Sequence, residues 1–411
     1  MTARDESGDL PQGLELTALD ESFRADPYPI LKRLRDHTPA YLDPAPRRVF
    51  ITRHDDVKTL LHDKEIYMDP RKANPGTFSR EVIAGSAGFA DPPDMLFLDD
   101  PDHQRLRSLV SGSFRPKRVE SWRTSIREVA NSVLDGIQES EFELISRFAG
   151  PVPVVVIARM LGIDEQHYQQ FKGWSDLVVL TGFNPAPTAE QTQRAQEARS
   201  ALDDFFFQQI EYRISHPGDD LISDMIRSEQ EGETLTHDEI VKQCRLLLVA
   251  GNVTTTDLIG NTVKALLDHP EQMKKLRENP SLIANTIEEA LRFDSPVTNT
   301  SRIADRDMSV SSCPVQKGES LHLSLAAANR DPAFFANPDT FDIEREDLQH
   351  VAFGGGRHLC LGAHLARIEA QEAISALLER YPTLRYGDKG FFHHSIPAFR
   401  GMKEFWVTTQ E

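Results

Sequence analysis

Among 411 residues, the side chain best placed to do chemistry is the thiol of Cys360, which ends a glycine-rich turn in FGGGRHLCLG, residues 353–362. The segment that follows has apolar positions at Leu365, Ile368, Ala373, Ile374, Leu377 and Leu378, the spacing of a helix with one buried face. Gly354, Gly355 and Gly356 would let the backbone come close to a flat ligand. The N–H groups at the start of the helix would favour a sulfur anion over a thiol. That is what a thiolate metal ligand requires. The other two cysteines, Cys244 and Cys313, are too scattered for a disulfide framework or a paired zinc motif. An isolated cysteine beside a glycine turn is by default a small buried residue, so the case for Cys360 rests on what surrounds it.

A long helix must lie upstream. Thr236 and Glu239 form a capping-box pattern, and apolar residues run through IVKQCRLLLVAGNVTTTDLIGNTVKALL until Pro270 stops them. At 1.5 Å per residue such a helix spans roughly 50 Å and must be largely buried. Yet Ala250, Gly251, Asn252, Val253 and three threonines, Thr254 to Thr256, stand at its centre, where helix propensity is poor and hydroxyls compete for backbone bonds. A local rule broken in mid-core marks a candidate site.

Several charged groups belong with these two segments. Glu289 and Arg292 are three apart in EALR, and Arg345 follows in FDIER. His103 and Arg107, four apart, share a helix face. Arg302 lies in NTSRIA and His358 in the cysteine turn. Taken singly, each would be an ordinary surface charge with a local partner.

Hydrophobic residues make up 39% and charged residues 27%, as in a soluble globular protein, and no apolar run is long enough for a membrane span. The polar N-terminus lacks the apolar stretch of a signal peptide, so a cytoplasmic location is expected. A net charge of -18 argues against nucleic acid or an anionic membrane as partner. No repeat, low-complexity tract or Gly/Ser linker divides the chain, so residues 23–411 read as a single domain behind a flexible segment, residues 1–22. The most strand-like stretches are Arg48 to Thr52, Met308 to Val315, Ser320 to Leu325 and Glu404 to Thr409.

Phe353, Gly356, His358, Cys360 and Gly362 resemble the haem-binding signature of the cytochrome P450 family, and the likeness, to the soluble bacterial type, runs from about Phe23 to the C-terminus. It implies a mainly α fold with a smaller β-rich lobe, a triangular prism in which haem b lies between a long distal helix and a proximal helix. By the same resemblance Cys360 ligates the iron, and Phe353, Gly354 and Gly362 border the haem. His103, Arg107, Arg302 and His358 hold its propionates, and Glu289, Arg292 and Arg345 form a buried structural network. The central helix resembles the family's AGx(D/E)T segment, with Gly251, Asn252 and Thr254 as its catalytic residues.

One position departs from that pattern. Val253 stands where the family has an acid, and valine cannot relay a proton. Water held by Thr254 is the leading substitute, ahead of Asn252, Asp257 or a carboxylate on the substrate, and Asp257 is expected to face solvent or a partner arginine. The resemblance further implies a substrate pocket bordered by Phe89, Val178, Ala250, Val253, Val297 and Ile396, suited to a small hydrophobic molecule.

The expected reaction is insertion of one oxygen atom from O2 into that substrate. No GxGxxG flavin or nicotinamide fingerprint follows a strand, so electrons would come from a separate ferredoxin-type donor and its reductase. Such donors are acidic, and Arg115, Lys117, Arg118 and Arg357 could form a basic docking patch. A monomer is expected. Val253 keeps open a peroxide-driven or oxidative-coupling enzyme, and a non-catalytic haem sensor is the remaining alternative.

Overall fold

Each strand-like stretch read from the sequence contains a strand, and others join them. The computed structural model describes residues 10–85, 93–182, 184, 186–230 and 235–410. The strands are Ala40–Pro44 (β1), Arg47–Ile51 (β2), Glu141–Glu143 (β3), Asn299–Ile303 (β4), Met308–Val310 (β5), Cys313–Val315 (β6), Ser320–Ser324 (β7), Arg385–His393 (β8) and Met402–Thr408 (β9). They form a four-stranded sheet in the order β1-β2-β7-β4, a three-stranded sheet β3-β9-β8 and the hairpin β5-β6. Ser311 and Ser312, both at positive φ, make the tight turn that splits Met308–Val315 into two strands.

The helices that shape the interior are His54–His62 (α1), Asp102–Ser111 (α2), Arg123–Asp135 (α3), Pro151–Met160 (α4), Tyr168–Gly182 (α5), Ala189–Ser215 (α6), His237–Asp268 (α7), Ile283–Phe293 (α8) and Ala363–Arg380 (α9). The 32 residues of α7 form the axis, packed on α4, α5, α6, α8 and α9. Its start is capped as expected: Glu239 N–H donates to Thr236 Oγ1 at 3.2 Å, and Thr236 N–H donates to Glu239 Oε2 at 2.9 Å. The helix is unbroken through its polar centre, because the hydroxyls turn back along it. Thr254 donates to Ala250 O at 2.8 Å and Thr256 to Asn252 O at 2.9 Å.

On one face of the four-stranded sheet, Val49, Ile51, Leu321 and Leu323 pack against Val57, Leu60 and Leu61 of α1. Phe50, on the opposite face, packs with Leu16, Phe23, Leu31 and Leu34. Phe23 is therefore not a packing boundary. Leu16 is buried, and Gly13 N–H donates to Asp43 at 3.0 Å. Residues 1–9 of the segment expected to be flexible lie outside the described residues. No helix among the described residues is long and apolar enough to cross a membrane.

Candidate active site

The cysteine turn is held open by contacts that only glycine permits. Gly354 and Gly356 adopt φ of +69° and +62°. A Cβ on Gly356 would lie 2.2 Å from Leu61 O, and one on Gly355 would lie 2.8 Å from the His62 ring. Two of the three glycines thus seat the turn against α1, and Gly354 alone borders the adjoining cavity, which corrects the expectation that all three serve a ligand. Cys360 N–H donates to Phe353 O at 2.9 Å, which fixes the sulfur-bearing residue at the cavity's edge.

Cys360 is exposed and borders a cavity of about 390 Å³. Burial pushes its thiol up, opposed by the Gly362 N–H, Arg107 and Arg367. The helix start was expected to favour the anion, but loss of water outweighs it in the bare chain. A metal that replaces the thiol proton removes that conflict.

A cation cluster borders the same cavity. Arg107 Nη2 donates to Leu359 O at 2.6 Å, and the His103 and His358 rings lie 4.1 Å apart. Among the described residues, Arg302, 4% exposed, donates to neutral groups, Met68 Sδ, Thr300 Oγ1 and Ser301 O, and burial holds its pKa down at about 10. His358 Nε2 is buried without a hydrogen-bond partner, and burial together with Arg302 and His103 holds that imidazole at about 2. A buried guanidinium with no carboxylate in contact is costly, and a ligand bearing two carboxylates would relieve it. Haem, with a metal for Cys360 and propionates for the Arg107 and Arg302 guanidiniums and the two imidazole N–H donors, fits the residues present.

Across the cavity, α7 contributes Ala250, Gly251, Val253 and Thr254 to the wall. Asn252 does not join them: it is fully buried on another side of the helix, with both amide atoms unpartnered. Asp257 faces neither solvent nor an arginine, since its buried carboxylate meets His394 Nε2 at 3.1 Å. Val297 borders the cavity, held by an isolated bridge to Phe399. Two of the expected pocket residues are displaced. Val178 packs on the helical core and its neighbour Val179 borders the cavity, because α5 turns that next position inward. Ile396 packs behind the wall that Pro397, Ala398 and Phe399 form. Phe89 lies outside the described residues.

Beneath the cysteine turn, Glu289 and Arg292 pair at 2.7 and 2.8 Å, both fully buried, and Arg345 Nε reaches Glu289 at 3.2 Å. The spare donors of both arginines go to carbonyls of residues 329–340, tying that loop to α8. Beside them Arg367 lies 4.5 Å from the Phe353 ring centroid and donates to Glu288 at 2.5 and 2.8 Å.

Glu369 was not singled out from the sequence. Glu369 on α9 is 2% exposed, and burial pushes its carboxyl well above the carboxylate range against the pull of Thr255. A glutamate on the apolar face of a helix, next to Ile368, was the available signal.

The family model described as "Cytochrome P450" matches residues 159–385. The biotin biosynthesis cytochrome P450 of Bacillus subtilis (strain 168) is 42% identical over 76% of this chain and 79% of its own length. Among solved structures, P450BioI in complex with an acyl carrier protein ligated to hexadec-9Z-enoic acid superposes with a TM-score of 0.86 at 35% identity, over 96% of this chain and 100% of that one. CYP109E1 from Bacillus megaterium in complex with testosterone superposes with a TM-score of 0.86 at 31% identity, over 95% and 100%. This chain belongs to the cytochrome P450 family of haem-thiolate monooxygenases.

Proposed function

We propose that this protein oxidises a small, largely apolar organic molecule with O2, Cys360 supplying the iron ligand and a separate ferredoxin-type protein the electrons. The observation that carries the reading is one cavity with Cys360 on one wall and Thr254 on the other. Haem held by a thiolate supplies cleavage of the O–O bond and transfer of one oxygen atom to the substrate. His103, Arg107, Arg302 and His358 would pair with its carboxylates. The apolar walls, including Phe78, Leu247, Val253 and Val297, exclude water and hold substrate by burial.

Two groups can handle protons here. Thr254 Oγ1 donates to Ala250 O, which leaves its lone pairs to accept from a water. Burial favours the protonated form of the Glu369 carboxyl, which stands beside Thr255. Water held by Thr254 and recharged from Glu369 is the route we assign in place of an acid at position 253.

The named ligands of similar proteins, an acyl chain and a steroid, support an elongated apolar substrate. Arg115, the N-cap of the short helix Pro116–Glu120 that packs on α9, and Lys117 within it are exposed and suit an acidic donor. Arg118 and Arg357 are engaged by Asp219 and Asp100 and offer less. The test is a panel of fatty acids, steroids and terpenoids, scored by the visible spectrum of the haem protein and by product formed with a ferredoxin and reductase. Binding and electron-dependent product from one class support the proposal, and the absence of both across the panel counts against it.

Val253, apolar and facing the cavity, favours a second reading in which peroxide supplies both oxygen and electrons. Faster turnover with hydrogen peroxide than with the donor system would select it.

A further inference from the structure

The four-stranded sheet also borders the cavity, and it presents a polar group with no role in the chemistry above. His322, at the centre of β7, is 3% exposed and borders the cavity, and among the described residues neither of its ring nitrogens has a hydrogen-bond partner. Leaving a buried polar group unpaired is costly. Packing does not call for an imidazole. Phe50 stacks on the ring at 4.9 Å and Phe78 meets it edge-on at 5.3 Å, contacts that a phenyl group would make equally well.

Strand register separates His322 from the cations assigned to haem. Ser301 pairs with His322 and Arg302 with Leu321, and alternate residues of a strand face opposite sides. Phe50 is the partner of His322 on β2, so Arg48, two residues earlier, shares that face. Arg48 lies 4.8 Å from the Phe78 ring centroid, but its charge is already met by Asp43, which accepts from Nε at 2.9 Å. Burial keeps His322 neutral, and Arg48 pushes the same way. This part of the wall therefore offers one N–H donor and one nitrogen acceptor beside a guanidinium already paired.

We propose that His322 is a specificity-determining residue that hydrogen-bonds an uncharged hydroxyl or keto oxygen at one end of an elongated apolar substrate, whose other end lies against α7. This deepens the monooxygenase reading and rests on it. A hydrocarbon would leave the imidazole unpaired. A carboxylate would be buried beside a cation that already has its counter-charge, which disfavours it.

The test uses the haem-loaded protein with His322→Phe and His322→Gln variants, each first checked by its ferrous carbonyl spectrum for thiolate ligation. Calorimetric titration with 1-decanol, decanoate and cyclodextrin-delivered undecane then gives Kd for each pair. His322→Phe should weaken decanol relative to undecane by about tenfold or more, and His322→Gln, which keeps a donor and an acceptor, should restore most of the loss. An unchanged decanol-to-undecane ratio, no binding of decanol to the parent protein, or a larger effect on decanoate than on decanol would each overturn the assignment. A parent protein without the thiolate-haem spectrum would instead strike at the function itself, so the two failures are distinguishable.

Discussion

In the proposed reaction, Thr254 and Val253 govern how the site handles protons. With its hydroxyl bonded to Ala250 O, Thr254 can orient one water, and Thr254→Ala removes that anchor without opening the helix. Product formed per electron pair should fall and hydrogen peroxide should rise, measured by assaying both against cofactor consumed; unchanged coupling would contradict the role. Glu369→Gln preserves shape but removes the acidic proton, so folding should hold while oxygen insertion slows and its solvent deuterium effect grows. Gly356→Ala forces a Cβ to within 2.2 Å of Leu61 O at a φ that suits glycine, so the turn must shift. Lower haem retention, read from the ratio of haem to protein absorbance, is the expected result. Cys360 was legible because its neighbours form a specific pattern, whereas the orientation of Asn252 was not. Sequence puts Asn252 next to Gly251, but only the helical phase of α7 turns it away from the cavity.

At the scale of elements, the α8 network joins chain segments that local preference does not bring together. Arg292→Ala leaves the buried Glu289 with Arg345 and the Asp342 N–H, and loss of one partner from such a pair costs about 3–5 kcal/mol, measurable by denaturant unfolding. Glu288 adds a pH signature. Burial alone would raise its carboxyl, but Arg367 and His350 outweigh burial and hold it at about 2, below the ordinary 4.5. A group depressed in the folded state stabilises above its unfolded value, so this contribution, about 3 kcal/mol, is lost as pH falls from about 4.5 towards 2. Glu288→Gln should flatten the acid limb of stability against pH over that window. The cap of α7 was legible because Thr236 and Glu239 satisfy each other locally. Strands β1, β3, β4 and β8 were not, since Asn299–Ile303 is extended through its pairing with Ser320–Ser324, which no local pattern announces.

For the whole molecule, the net charge of -18 sets the electrostatic problem that the proposed acidic electron donor would meet. Arg115 and Lys117 are the exposed cations expected to answer it, and Arg115→Glu with Lys117→Glu should weaken the apparent affinity for a ferredoxin about tenfold or more at low salt. Reduction by a small chemical reductant should stay unchanged, and equal loss with both reductants would point to a folding defect. The prism of helices was legible only through family resemblance, because the apolar spacing around Leu365 or Leu247 identifies helices and not their partners. The packing of Leu16 against Phe50 and Leu34 shows the same limit.

The most direct test of the account is the visible spectrum of the reduced, carbon-monoxide-treated protein beside that of Cys360→His. The parent protein is expected to give the red-shifted band of a thiolate-ligated haem, and the variant the band of a nitrogen-ligated one or no haem at all. A nitrogen-type band in the parent, or a thiolate band that survives in the variant, would contradict the assignment of Cys360 as the iron ligand.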